Sequence, residues 1–299
     1  MENIFRQKKK NRIVVKGLIY GIIILAVAFF IYNYTNLKEK IITNFSKELY
    51  TDGISESIES AYQDMGILSD SMAVMNMLKS GNFKSLEKKV AYLTFDDGPS
   101  VTVTPKILDI LQENKVNGTF FIVGNELNKS DKSKDILKRI VIEGNAIGAH
   151  TYSHNYKKLY PGGKIDINTF IDEIEKTNNL IAGELGEKYR TRVIRFPGGS
   201  YSWKGLSEME KILAQKGYSY IDWNCIVGDA EGKPKSKDGL IDVFNETKTK
   251  VARNGNLVVL MHDTYGKEAT AEALPEIINK LKREGYEFHT LIWKYIRRQ

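Results

Sequence analysis

The chain predicts an α/β protein built on a parallel sheet, open or closed into a barrel. Three observations carry this reading. Apolar, β-rich runs alternate with helix-length segments from Val90 onward. The runs recur at irregular but βα-like intervals. Residues able to do chemistry stand where the runs end, as they do at the carboxyl ends of parallel strands.

The strand candidates, in order, are 90–95, 118–123, 146–149, 192–196, 219–225, 256–261 and 287–292. Each is a short run rich in β-branched, aromatic or other apolar residues. The helix candidates between them are 104–114, 134–143, 168–184, 206–216, 238–252 and 269–284. Upstream, Ile41, Phe45 and Leu49 repeat every four residues, as do Ile54, Ile58 and Tyr62. Met65, Leu68, Met72 and Met75 continue at helical spacing. Residues 35–88 therefore read as short amphipathic helices, a stalk or a layer packed on the domain behind them, with a boundary near Gly81-Asn82.

Gly17 to Tyr34 is uncharged for 18 residues. At ~1.5 Å rise per residue it spans about 27 Å, close to a bilayer core. Residues 1–16 hold six Lys and Arg against one Glu, leaving 38 cations against 36 anions in the remainder. The formal net charge of +7 is thus mostly a tail beside the apolar segment, not a basic face for nucleic acid. Such a tail places the N-terminus in the cytoplasm and the following domain outside. The organisation expected is a basic tail (1–16), a membrane anchor (17–34), a helical stalk (35–88) and a catalytic domain (89–299). The alternative is a secreted domain released by cleavage near Ala28; the apolar run continuing through Phe29 to Tyr32 argues against it. Cys225 is the one cysteine, so no intrachain disulfide or thiolate cluster can form.

Five strand ends carry chemistry. Thr94-Phe95-Asp96-Asp97-Gly98-Pro99 places two carboxylates where the chain leaves a strand and turns. One could bind a metal while the other takes a proton. His150 and His154 follow the strand at 146–149, four residues apart, a common metal-ligand spacing. Two imidazoles and a carboxylate leave an open position on a divalent ion, and Zn2+ suits that set. Arg195 precedes Phe196-Pro197-Gly198-Gly199 and can orient a carboxylate and hold it ionised. Asp229 lies near another strand end and could hydrogen-bond His262, which closes the strand at 256–261. His262 is then a further ligand or a general acid. Trp223 is core or a sugar-stacking ring. His289 has no polar company in its strand and reads as structural.

Together these five motifs resemble those of the polysaccharide deacetylases, carbohydrate esterase family 4, along most of residues 89–293. The resemblance implies a distorted (β/α) barrel with fewer than eight units. It implies Asp96 as base, Asp97, His150 and His154 as metal ligands, Arg195 as the residue positioning Asp96, and His262 as acid with Asp229 as its partner. It also implies Leu260 lining an acetyl pocket and the backbone N–H of residue 198 in the oxyanion hole. Two positions depart from the pattern. Gly198 stands where many members have Tyr, and Ala230 where many have Trp. Both open the groove and bear on substrate choice.

The expected activity is metal-dependent hydrolysis of an N-acetyl group, an amide bond, on a polymeric amino sugar. With an outward-facing anchor, peptidoglycan N-acetylglucosamine is the leading substrate. Another surface N-acetylated polysaccharide, or O-acetyl ester hydrolysis, is the runner-up. A non-catalytic wall-binding domain is the rival of another class. Zn2+ is the expected metal, with Co2+, Mn2+ or Ni2+ as alternatives. The partners expected are the wall polymer and the membrane, with no nucleic acid and no oligomeric state assigned.

Overall fold

The computed structural model describes residues 68–84, 88–251 and 255–292. The expected tail, anchor and most of the stalk lie outside the described residues. Among those described, no helix is long and apolar enough to cross a membrane.

The sheet is parallel. Its strands are β2 (Lys89–Gly98), β3 (Thr119–Ile122), β4 (Ala146–Ala149), β5 (Val193–Ile194), β6 (Ser219–Tyr220), β7 (Cys225–Ile226) and β8 (Leu257–His262). Their order is β6-β5-β4-β3-β2-β8-β7, and β9 (Tyr286–Phe288) pairs with the start of β2. The sheet curls without ladder pairing between its edge strands β6 and β7. Residues 221–224 carry the chain across that gap. The single strand expected over 219–225 is therefore two short strands on opposite edges. A continuous strand cannot belong to both edges, and the Asp222-Trp223-Asn224 turn makes the crossing.

Helices cover the outer face: α2 (Thr104–Asn114), α4 (Asp131–Ile142), α6 (Ile167–Leu185), α7 (Leu206–Lys216), α8 (Lys237–Lys250) and α9 (Glu268–Arg283), with short α3 (Gly124–Leu127) and α5 (Tyr156–Leu159) near the strand ends. Their bounds follow local signals. Ser130, Asp166 and Ser236 cap α4, α6 and α8 by accepting backbone N–H groups. Gly217, at φ 71°, ends α7 in the left-handed conformation.

Alternation sorts the strand residues. On β2, Ala91, Leu93 and Phe95 join the outer core under the helices. Tyr92 joins a second cluster inside the curled sheet with Phe121, Val193, Ile221, Val258 and Leu291. The interior is thus apolar toward the N-terminal ends of the strands. Higher up, the same inward positions are Thr94 and Asp96 on β2, and Leu260 and His262 on β8.

The segment before β2 belongs to this domain. β1 (Leu68–Asp70) pairs in parallel with β10 (Thr290–Ile292), and α1 (Ser71–Ser80) packs Val74 into the inner cluster. Ser71 Oγ accepts from Ser219 Oγ at 2.7 Å. Leu68, which the helical spacing placed in a helix, is in a strand, because the partner edge of β10 decides its conformation. His289 breaks the expected 287–292 strand in two, and its Nδ1 lies 3.0 Å from Ser69 Oγ. It thus has polar company, in Ser69 and in Glu287, whose carboxylate lies 3.6 Å from its Nε2. Cys225 is buried and free.

Candidate active site

The site lies at the carboxyl ends of the strands, and adjacent Asp96 and Asp97 open it. On a regular strand they would face opposite ways. The register with β3 slips here: Asp96 pairs with Phe121, but Gly98 pairs with Ile122. Asp97 is the extra residue of a bulge, with φ 71°. The slip turns both carboxylates toward His150, whose Nε2 lies 3.7 Å from Asp96 Oδ2 and 3.4 Å from Asp97 Oδ1.

His154 Nε2 approaches the same Asp97 oxygen at 3.2 Å. Asp97, His150 and His154 can each place one ligand atom within 4.8 Å of the others. Asp97 Oδ1 is buried with no hydrogen-bond partner. His150 Nδ1 lies 2.9 Å from the Arg195 carbonyl oxygen. A carbonyl only accepts, so Nδ1 carries the proton and the neutral ring presents a bare lone pair at Nε2. That lone pair faces the orphaned carboxylate oxygen. The pair is repulsive until a cation stands between, so these residues fit a divalent metal. Burial pushes the His154 pKa down, toward the neutral form that ligates. Burial alone would raise the Asp97 carboxyl, but the surrounding imidazoles, when protonated, hold it well below the usual range.

The ligand loop is held from outside. Glu173 on α6 accepts from Ser153 N at 2.9 Å and from Ser153 Oγ at 2.6 Å. Thr151 and His154 both adopt positive φ, 64° and 51°, uncommon for residues with a side chain.

Arg195 is fully buried and crosses the interior. Its Nη1 donates to Asp96 Oδ1 at 2.7 Å and to Thr94 Oγ1 at 2.8 Å. Nε donates to the Ile221 carbonyl at 2.7 Å, and Nη2 to that of Asp222 at 3.2 Å. The guanidinium lies 4.1 Å above the Phe121 ring. The carboxylate contact is therefore through one nitrogen, not a two-pronged clamp; the other donors are used on the crossing at 221–224.

His262 and Asp229 form a second unit. His262 Nδ1 is 2.8 Å from Asp229 Oδ1, and the His262 backbone N–H donates to Asp229 Oδ2 at 2.9 Å. Thr270 Oγ1 adds a donor at 2.8 Å. Burial works against the imidazolium, but the hydrogen bond and charge of Asp229, joined by Asp96 and Asp97, push its pKa up to about 9. His262 thus favours its protonated form, held by Asp229, and stands apart from the Asp97, His150 and His154 group.

Gly198 is exposed with φ 78°, and Leu260 is buried one position before Met261 on the inward row that ends at His262. Trp223 is half-buried, packs on the inner cluster and lies under Gly199.

Three supporting residues escaped the sequence reading. Asp222 accepts from the Ser200 backbone N–H at 2.9 Å and from its hydroxyl, pinning the glycine loop. Asp263 is fully buried beneath Gly98, where Thr104 Oγ1 donates to it at 2.6 Å. Burial, with the charges of Asp97 and Asp96, pushes its carboxyl up to about 7 against the Thr104 hydrogen bond. Glu173 is the third. Only Asp263 carried a signal, by adjoining His262.

Comparison with known proteins agrees with this geometry. A family profile described as polysaccharide deacetylase matches residues 83–221. A peptidoglycan-N-acetylglucosamine deacetylase of Bacillus cereus is 31% identical over 215 residues, 72% of this chain and 73% of the relative. The peptidoglycan-N-acetylmuramic acid deacetylase PdaA of Bacillus subtilis is 30% identical over 71% of this chain and 72% of its own. The solved structure of a Streptococcus mutans CE4 esterase superposes with TM-score 0.70 at 38% identity, covering 77% of this chain and 94% of that one.

Proposed function

The chain belongs to the polysaccharide deacetylase family, and from that premise we propose that it removes N-acetyl groups from the N-acetylglucosamine residues of peptidoglycan. The observation that carries the reading is the pairing of two separately held groups at one mouth. Asp96, fixed by Arg195, faces the ligand triad, and His262, fixed by Asp229, stands ready to donate.

Asp97, His150 and His154 would hold the divalent ion, Zn2+ by its ligand set or Co2+, Mn2+ or Ni2+. Bound there, the ion supplies Lewis acidity for the acetamide carbonyl and lowers the pKa of water. Asp96, held in place by Arg195, takes the proton from the attacking water. The Gly198 N–H donates to the oxygen that becomes anionic. Leu260 lines the pocket for the acetyl methyl. His262 protonates the departing amine, without which an amine leaves poorly.

On the sequence evidence, residues 17–34 anchor the enzyme in the membrane, residues 1–16 stay inside, and the catalytic domain works outside on the wall. The test is acetate release by the metal-loaded protein from peptidoglycan, N-acetylglucosamine oligomers and acetylated xylan. Release from the first two, abolished in Asp96→Asn, is expected. Release from the ester alone would replace the amidase reading with an esterase. No difference between wild type and Asp96→Asn would remove the catalytic reading.

A further inference from the structure

The deacetylase reading leaves Tyr156 without a task, yet the structure places it over the site. A Cβ on Gly198 would stand 3.2 Å from the Tyr156 hydroxyl oxygen and 3.2 Å from Trp203 Cζ2. These two side chains therefore wall the corner where residue 198 offers only backbone. The Tyr156 ring centroid lies 5.3 Å from that of His154 and 5.4 Å from that of Trp203. Trp203 is itself fixed, stacked on Tyr160 at 3.8 Å and donating through Nε1 to the Pro197 carbonyl at 2.9 Å. Asn155 caps α5 and sets Tyr156 at its first position.

So placed, Tyr156 remains 43% exposed, and its hydroxyl makes no hydrogen bond among the described residues. The exposed large apolar side chains among the described residues are Tyr156, Tyr201 and Tyr265. They follow β4, β5 and β8 respectively, so all three belong to the rim that bears the site. A pyranose ring offers an apolar C–H face and a polar edge, which matches an apolar ring body with a polar tip.

We propose that Tyr156 binds the acetylated sugar, its ring against the pyranose face and its hydroxyl donating to the sugar at the corner left open by Gly198. This rests on the deacetylase reading. A residue that merely packs on Trp203 would tolerate loss of the hydroxyl.

The test uses the full chain, metal-loaded, with an N-acetylglucosamine tetramer. Tyr156→Phe keeps the ring and removes the donor; it is expected to lower kcat/KM about ten-fold, the scale of one hydrogen bond. Tyr156→Ala is expected to lower it about a hundred-fold, mainly through KM, with metal content unchanged in both. In the Asp96→Asn background, calorimetric binding of the tetramer should weaken in the same order. Tyr156→Phe and Tyr156→Ala equal to their parents in both kcat/KM and binding would overturn the proposal. If the parent releases no acetate, the deacetylase reading fails, and the binding series still decides whether Tyr156 holds the sugar.

Discussion

Asp96 and Asp97 are chemically identical and one residue apart, yet their surroundings divide them. Arg195 holds Asp96, while an Asp97 oxygen stays unpartnered among imidazoles. Asp97→Ala should lower bound metal, measured by metal analysis after dialysis, and lose activity with it. Asp96→Asn should retain metal and lose about 10²–10⁴ in kcat, the usual contribution of a positioned base. His262 supplies a pH test. Its pKa lies above the ordinary histidine value, chiefly because Asp229 outweighs burial. A general acid works while protonated, so activity falls as pH rises through its pKa. Asp229→Asn should move that alkaline limb of the kcat/KM profile to lower pH; an unmoved limb would separate His262 from the acid step. Asp96, Asp97, His150 and His262 stood out in the sequence because each stands where an apolar run ends, and His154 by its spacing from His150. Asp222 and Glu173 were not, because their partners, Ser200 and Ser153, lie 22 and 20 residues away in sequence and only the fold joins them.

Elements long enough to show periodicity were read to within three residues. The helix at 104–114 begins and ends where expected, with Pro105 in its first turn. The short strands β3, β4 and β5 also fall within two residues of expectation, but β6 and β7 were read as one. A two-residue strand such as β6 has no period to detect, and only its neighbours' edges define it. The helix α6 acts beyond its own packing, since Glu173 fixes Ser153 between the two histidine ligands. Glu173→Ala should leave the far-ultraviolet circular dichroism unchanged and weaken metal affinity by about 10- to 100-fold, the effect of losing a residue that orients ligands. Titration with a competing chelator measures it.

At the scale of the molecule, Arg195 does two jobs. It orients Asp96, and it holds the carbonyls of Ile221 and Asp222 where the chain crosses the sheet's open edge. Arg195→Ala leaves a buried carboxylate and two carbonyls without their donor. Breaking such a pair costs about 3–5 kcal/mol. Urea unfolding should show that loss alongside the drop in activity, whereas His262→Ala should cost activity far more than stability.

The pairing of β1 with β10 sets Leu68 opposite Thr290, so the first and last described strands lie side by side. That ladder lies at the foot of the sheet: His289 N–H donates to the Ala91 carbonyl and Leu291 N–H to Thr119 Oγ1, both near the starts of their strands. Asp96 and His262 sit at the opposite end. Leu68 therefore sits at the heel of the domain, and the catalytic mouth opens at the other end of the same strands.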